Sequence, residues 1–326
     1  MLSRKYVVRS IENEPKLVHC SSIAEGRKGD LLCVWYEGAY ETSPDTVIKM
    51  STRKRNSKKW SPGRAVLRFP DVPLGNPVLF RDGREMFLIF SFLLRENWEG
   101  SLLCLSKSSD DGETWSDPFI FFPRIGSIAK TKPIKLSTGK WIIPFYNESE
   151  LCPYVLILDE IKKSLESPYV AETMARGKVM QPAVVEIEPG KLLMFCRSNQ
   201  GTIWKSISPN GGMTWSICKP TNLPNPYSAL DLIKTRKGEL LLAYNDSRQD
   251  RYSLSVVLSE DKGKTWIYRR DIEREEEGEY SYPSMIQDSG GRIQLTYTEN
   301  RCKINHFCFD LEWLRQKRLD IPICTD

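Results

Sequence analysis

The sequence predicts an all-β fold, a six-bladed β-propeller of four-stranded antiparallel blades, and two repeating signals carry that prediction. Three segments, SSDDGETW (108–115), SPNGGMTW (208–215) and SEDKGKTW (259–266), share the pattern Ser-x-Asp/Asn-x-Gly-x-Thr-Trp, and RKRNSKKW keeps only its last position, Trp60. The tryptophans fall at 60, 115, 215 and 266, with gaps of 55, 100 and 51, so a period near 51 has one copy missing around residue 165. The second signal is more complete. Six times an apolar run meets a glycine turn and a second apolar run follows, at Gly29, Gly83, Gly139, Gly190, Gly238 and Gly290. Short runs rich in Val, Ile, Leu and Tyr joined by such turns read as β-hairpins.

Each element has a physical reason. In the Trp motif the Ser and Asp oxygens accept from turn N–H groups, Gly takes a positive φ, and the indole fills the space between blades. Those residues read as structural. The one segment with helical spacing is LDEIKKSLE (158–166), in the unit that lost its Trp motif. The last unit has three recognisable strands, YPSMIQD, RIQLTYTEN and KINHFCFD, while KYVVRSIE near the amino terminus has no partner in its own unit. The economical solution is one domain, 1–326, in which the N-terminal strand completes the last blade and removes two exposed sheet edges.

Composition narrows the function classes. The 326 residues are 40% hydrophobic and 27% charged, with a net charge of only +5 spread along the chain, which gives no case for nucleic acid or an anionic membrane as partner. The first fifteen residues lack the apolar stretch of a secretory signal, and the longest apolar run, Met86 to Leu94, is too short to span a bilayer. Nine scattered cysteines without a C-x-x-C pair fit a reducing compartment, so the expected location is cytoplasmic. With two histidines, His19 and His306, a His-rich metal site is excluded, and no phosphate-binding glycine string or G-x-S-x-G elbow occurs. No metal and no cofactor are expected. His306 reads as structural.

Polar groups close the second strand of five of the six units: Tyr36-Glu37, Tyr146-Asn147-Glu148, Arg197, Tyr244-Asn245-Asp246 and Tyr297-Thr298-Glu299. In a propeller such ends converge on one rim. Carboxylates, tyrosines and an arginine facing one cavity suit a saccharide: rings stack on sugar faces, carboxylates move protons and arginine binds a carboxylate bidentately. Trp98 in RENWEG adds a stacking platform. Glu37, Trp98, Glu148, Asp231, Asp246 and Arg301 are therefore substrate-binding candidates. The acidic run near 270–279 reads as a solvated loop.

The motif at this spacing resembles the sialidase superfamily with its Asp-box, or BNR, repeats, and the resemblance covers roughly residues 15–310. HCSSIAE, GNPVLFRDG, TKPIKL, MQPAVVEI, NPYSALDL and EYSYPSMIQD carry a closer likeness to BNR-repeat predicted neuraminidases. The resemblance implies three arginines for a sugar carboxylate, a Tyr nucleophile activated by a Glu, and an Asp acid/base. LLMFCRS supplies Arg197 and RYSLSVV supplies Arg251 at two arginine positions, and EYSYPSMIQD supplies Tyr282. His19 in VHCSSI stands where the first arginine would be, and Gln181 in QPAVVEI stands where the activating Glu would be. Asp45 or Glu41, in WYEGAYETSPDT, lies in the loop that carries the acid/base. A free phenol titrates near about 10 and needs a base, and an amide cannot accept its proton as a carboxylate does. His19 reads either as a buried histidine bonded to a backbone carbonyl or as a site residue, neutralising a carboxylate when protonated or serving as acid/base.

The resemblance implies an exo-glycoside hydrolase releasing a terminal acidic sugar: sialic acid, a 2-keto-3-deoxy sugar acid or a uronate. The partner is then an acidic mono- or oligosaccharide. A uronate lyase using His19 and Tyr282, and a non-catalytic carbohydrate-binding propeller motivated by Gln181, are the alternatives.

Overall fold

The structure is a computed structural model and describes residues 3–9, 16–163, 168–173 and 178–325. It is a six-bladed β-propeller. The sheets run in chain order from inner to outer strand: blade 1 from Leu17–Glu25 to Arg64–Leu67, blade 2 from Leu74–Asp82 to Phe119–Phe122, and blade 4 from Val179–Glu188 to Lys219–Pro224. In blade 3 the inner position is split into two short strands, Ser127–Ile128 and Ile134–Lys135, which both pair with Trp141–Asn147. In blade 6 the strand Ser3–Arg9 pairs antiparallel with Lys303–Phe309, Lys5 opposite His306, outside the strands that begin with Tyr280–Gln287. Blade 5 gains a fifth strand that the sequence reading did not foresee. After a short helix, Leu311–Arg315, the strand Arg318–Cys324 adds to Thr265–Arg274.

Contacts divide the chain into two compact units, one of Met1–Ala129 with Tyr282–Phe309 and one of Lys130–Ser281 with Asp310–Asp326. In the first unit, Leu32 and Met50 of blade 1 and Met86 and Leu88 of blade 2 form one buried cluster with Trp115 packed on it, only partly buried. In the second, Trp215 (9% exposed) lies among Ile142 and Ile157 of blade 3 and Leu192 and Met194 of blade 4. Trp266 is fully buried among Leu193 and Phe195 of blade 4 and Leu240 and Leu242 of blade 5. The indoles thus join neighbouring blades, as their spacing predicts, but Trp115 does so less completely than its two counterparts.

The turns before the indoles match the chemistry of their sequence. Ser108 Oγ donates to Asp110 and accepts from Gly112 N–H at 2.8 Å, while Asp110 accepts from Thr114 N–H at 2.9 Å and Thr114 Oγ1–H at 2.6 Å. Those donors, Thr114 first, hold the Asp110 carboxyl at about 2. Gly112 has φ +86, which disfavours any side chain, and a Cβ there would press on the Met50 thioether at 3.0 Å.

Two expectations need correction. The described part of 158–166 is not an α-helix: Leu158 ends the strand Cys152–Leu158, Ile161–Lys163 form one 3-10 turn, and 164–166 lie outside the described residues. A strand hydrogen-bonded to its neighbour wins over a single turn's worth of helical spacing. In the sixth hairpin the left-handed glycine is Gly291 (φ +84), one residue later than the pattern suggests.

Candidate functional site

One backbone device recurs on the inner strands. In blade 1 the ladder pairs His19 with Tyr36 and then Ser22 with Val34, so Cys20 and Ser21 oppose one residue. Blade 2 skips in the same way between Gly75–Ser91 and Val78–Ile89, and blade 4 between Met180–Arg197 and Ala183–Phe195. Each is a β-bulge. Its first extra residue is left-handed, Cys20 at φ +55, Asn76 at +43 and Gln181 at +49. Tyr282 on the inner strand of blade 6 (+54) and Tyr227 just before that of blade 5 (+56) share the conformation. Asn76, Gln181 and Tyr282 each precede a proline, which disfavours the right-handed helical region for them. Strain of this kind, at non-glycine residues in the same place blade after blade, marks positions held for a purpose.

In the first unit this device gathers an aromatic and imidazole cluster. His19, 1% exposed, has its ring centroid 4.2 Å from that of Tyr282 and 5.7 Å from that of Tyr36. His19 Nδ1 lies 3.1 Å from Thr298 Oγ1, and the same hydroxyl oxygen accepts Cys20 N–H at 3.2 Å, so one threonine fixes both ring and bulge. The Tyr36 ring meets Trp98 edge-on at 6.2 Å. Burial first, and then Glu41, pushes the Tyr36 phenol well above its usual range, so it stays protonated. Glu41 accepts from Trp98 Nε1–H at 3.1 Å and Arg301 Nη1–H at 2.6 Å. Gly75 makes room for the Trp98 ring, since a Cβ there would stand 2.4 Å from the indole edge. His19, Tyr282, Glu41, Trp98 and Arg301 therefore belong to one connected cluster, together with Tyr36.

In the second unit the same device gathers arginines. Arg197, 7% exposed, donates from Nη1 to Gln181 Oε1 at 3.0 Å and stacks its guanidinium 4.0 Å over the Tyr227 ring. Arg251 donates from Nη2 to the Tyr227 carbonyl at 2.7 Å and from Nη1 to Glu279 at 2.8 Å. Both guanidinium groups thus hold on to Tyr227. Glu279 also accepts from the Ser281 hydroxyl at 2.7 Å.

Five sequence-predicted residues take no part in either cluster. Asp45 is exposed and locks its own loop, accepting from Ala39 N–H at 3.0 Å and Ser43 Oγ–H at 2.5 Å, bonds that hold its carboxyl below the usual range. Glu37 pairs with Lys49 at 2.6 Å and reaches Trp35, on the face opposite to Tyr36, because neighbouring strand residues point to opposite faces. Asp246 is held by Arg269 at 2.5 Å and Arg274 at 3.4 Å, both on the fourth strand of blade 5, and ties that blade's rim. Asp231 opens the inner strand of blade 5, nearly buried, its carboxylate accepting Leu232 N–H. Glu148 sits half-buried in the turn after Trp141–Asn147. His306 is structural as expected, buried with Nε2 2.8 Å from Gln294 Oε1 and its ring edge-on to Trp60.

Sequence reasoning missed Tyr227 and Glu279 as members of these clusters and the left-handed bulge residue Asn76, and it saw Thr298 only as part of a polar strand end. Glu279 falls at the end of the acidic run, of which Glu275, Glu276 and Glu277 are indeed exposed. The recurring X-Pro on successive inner strands was the available signal for Asn76. Among the described residues no group of His, Cys, Asp or Glu is arranged to hold a metal ion.

Fold and side chains together define a sialidase-like propeller. Residues 29–295 match the BNR repeat-like domain, and the chain belongs to that family. It is 25% identical to a sialidase of Bacteroides fragilis over 60% of this chain and 39% of that protein, and 24% identical to the anhydrosialidase of Macrobdella decora over 60% and 29%. The chain thus spans about two fifths or less of these curated relatives. Among solved structures, the NanB sialidase from Streptococcus pneumoniae superposes with a TM-score of 0.80 at 13% identity, over 95% of this chain and 71% of that one. The Hadza microbial sialidase Hz136 gives 0.79 at 18% identity, over 95% and 69%. At such identity these two speak for the fold.

Proposed function

We propose that the protein is a sialidase-like exo-glycoside hydrolase that releases a terminal acidic sugar: sialic acid, a 2-keto-3-deoxy sugar acid or a uronate. The observation that carries this reading is the convergence of Arg197 and Arg251 on Tyr227, one guanidinium stacked on its ring and the other bonded to its carbonyl. A planar guanidinium already oriented by such contacts loses little freedom on gripping a carboxylate bidentately. Gln181 supports the reading too. As a neutral acceptor it orients Arg197 without supplying the negative charge that an acidic sugar brings. The curated relatives named sialidase and anhydrosialidase agree with an acidic sugar. We also place the protein in a reducing, cytoplasmic setting, because its nine cysteines are free thiols, most of them buried.

A second reading, elimination across a uronate linkage, is favoured by the contact of the His19 and Tyr282 rings, since a base and a phenol side by side also suit proton abstraction. The deciding experiment incubates the purified protein with umbelliferyl sialoside and umbelliferyl glucuronide, and with uronate oligosaccharides. Fluorescence release without an unsaturated, ultraviolet-absorbing product supports the hydrolase. Arg197→Lys or Arg251→Lys should weaken binding by ~2–4 kcal/mol while the protein stays folded. Equal turnover of neutral glycosides, with both arginine variants matching the parent, sinks the acidic-sugar reading.

A further inference from the structure

We propose that His19, oriented by Thr298, is the proton acceptor that activates Tyr282 as a nucleophile. The inference rests on the glycosidase reading above and deepens it by naming the groups that move the proton.

An activated nucleophile is recognised by a base against it and a third group that orients the base. All three lie in the first unit. Tyr282 is 8% exposed and so more accessible than the two rings that flank it in the cluster, His19 and Tyr36, each 1% exposed. Its left-handed backbone, followed by Pro283, fixes where the phenol stands. The His19 ring packs on it, tilted by 57° at 4.2 Å between centroids. His19 Nδ1 lies 3.1 Å from Thr298 Oγ1, and in the tautomer that donates from Nδ1 to that oxygen the proton acceptor of the ring is Nε2. The second ring against His19, Tyr36, is held as neutral phenol by burial and by Glu41, so it does not compete as the nucleophile. The charged groups around Tyr36, Glu41 and Arg301, are tied to each other at 2.6 Å. At the position where the resemblance implies an activating carboxylate, Gln181 is engaged with Arg197 in the second unit. The imidazole does what that amide cannot.

The chemistry balances with water as second substrate. Tyr282 Oη bonds to the anomeric carbon as the bond to the aglycone breaks, and the phenolic proton passes to His19 Nε2. The aglycone oxygen leaves with the bonding pair and takes a proton from water. The hydroxide left behind attacks the anomeric carbon, the bond to Oη breaks with its pair returning to oxygen, and Oη recovers its proton from His19.

The test uses the whole protein with umbelliferyl sialoside and glucuronide, and with a fluorinated sialosyl fluoride as trap. The expected result is a covalent adduct on the peptide containing Tyr282, and none in Tyr282→Phe. His19→Gln should slow adduct formation about a hundredfold with KM little changed, and should remove the acid limb of the pH–rate profile. Thr298→Val should lower kcat by a smaller factor and shift that limb, and Thr298→Ser should restore both. If His19→Gln does not fold, the Thr298 pair still decides. An adduct on another residue, a pH profile unchanged in the His19 or Thr298→Val variants, or an unsaturated product overturns the dyad. The acidic-sugar reading fails separately, through indifference to Arg197 and Arg251.

Discussion

Tyr36 and Arg197 occupy the same rung of their blades: each sits on the second strand, opposite the residue just before the inner-strand bulge, His19 in blade 1 and Met180 in blade 4. The surroundings of the two differ. Around Tyr36 stand His19, Tyr282 and Trp98, a wall of rings that keeps the phenol neutral. Around Arg197 stand the Gln181 amide and the Tyr227 face, which orient a cation. The backbone supplies one device, a bulge with a left-handed residue, and the side chains placed on it decide whether rings and an imidazole or guanidinium groups gather there. Repetition of a scaffold is therefore no guide to repetition of chemistry.

The largest effect that separates the two units concerns their indoles. Trp266→Ala should cost ~3–5 kcal/mol, as a fully buried aromatic leaves a cavity, and Trp115→Ala clearly less, because Trp115 is partly exposed. Denaturant unfolding of the two variants measures the gap, and equal losses would break the contrast. Next in size, Gln181→Glu should weaken binding of an acidic sugar about tenfold, or ~1.4 kcal/mol, because a carboxylate beside Arg197 competes with that of the ligand. Unchanged affinity by calorimetry would mean that Arg197 does not face the ligand.

On the Tyr36 side the expected change is smaller and of opposite sign. The Tyr36 hydroxyl is buried and makes no hydrogen bond among the described residues. Tyr36→Phe should therefore raise stability by ~1 kcal/mol, since it removes an unsatisfied polar group and keeps the ring. A lower thermal midpoint would reveal a partner for that hydroxyl. The smallest effect is acid dependence of the turns. Asp110 is lowered to about 2, so its contribution is present above the unfolded carboxyl value of about 3.9 and is lost as pH falls through about 2. Asp110→Asn, which copies Asn210 of the second unit, should flatten that part of the acid-unfolding curve. A curve of parental shape would show that Asp110 does not titrate during acid unfolding.

How far the site was legible depends on what each residue does. Arg197, Arg251, His19 and Tyr282 were found through strings that resemble a known pattern, and each takes part in a cluster. Glu37 and Asp246 were chosen as acids at the ends of strands, and Asp45 through the loop in which the resemblance implies an acid/base. A strand end does not say which face a side chain takes or which lysine or arginine waits there, and all three turned out to be engaged by neighbours. Thr298 was visible only as one member of a polar strand end. That its hydroxyl joins a histidine 279 residues away could not be read from the chain.

What the sequence determined by itself is the periodic part: six hairpins at glycine turns, the turn chemistry of Ser108, Asp110 and Thr114, and tryptophans that join blades. These follow from local rules of strand alternation, positive φ and side-chain-to-backbone hydrogen bonds, which act within a few residues of one another. The tertiary structure alone decided the rest: the fifth strand of blade 5, the pairing of Arg301 with Glu41, the anchoring of two arginines on Tyr227, and the contact of His19 with Tyr282. Each of these joins residues from different strands or blades. Such partners are chosen by how the packed sheets bring side chains face to face, and no local pattern encodes that choice.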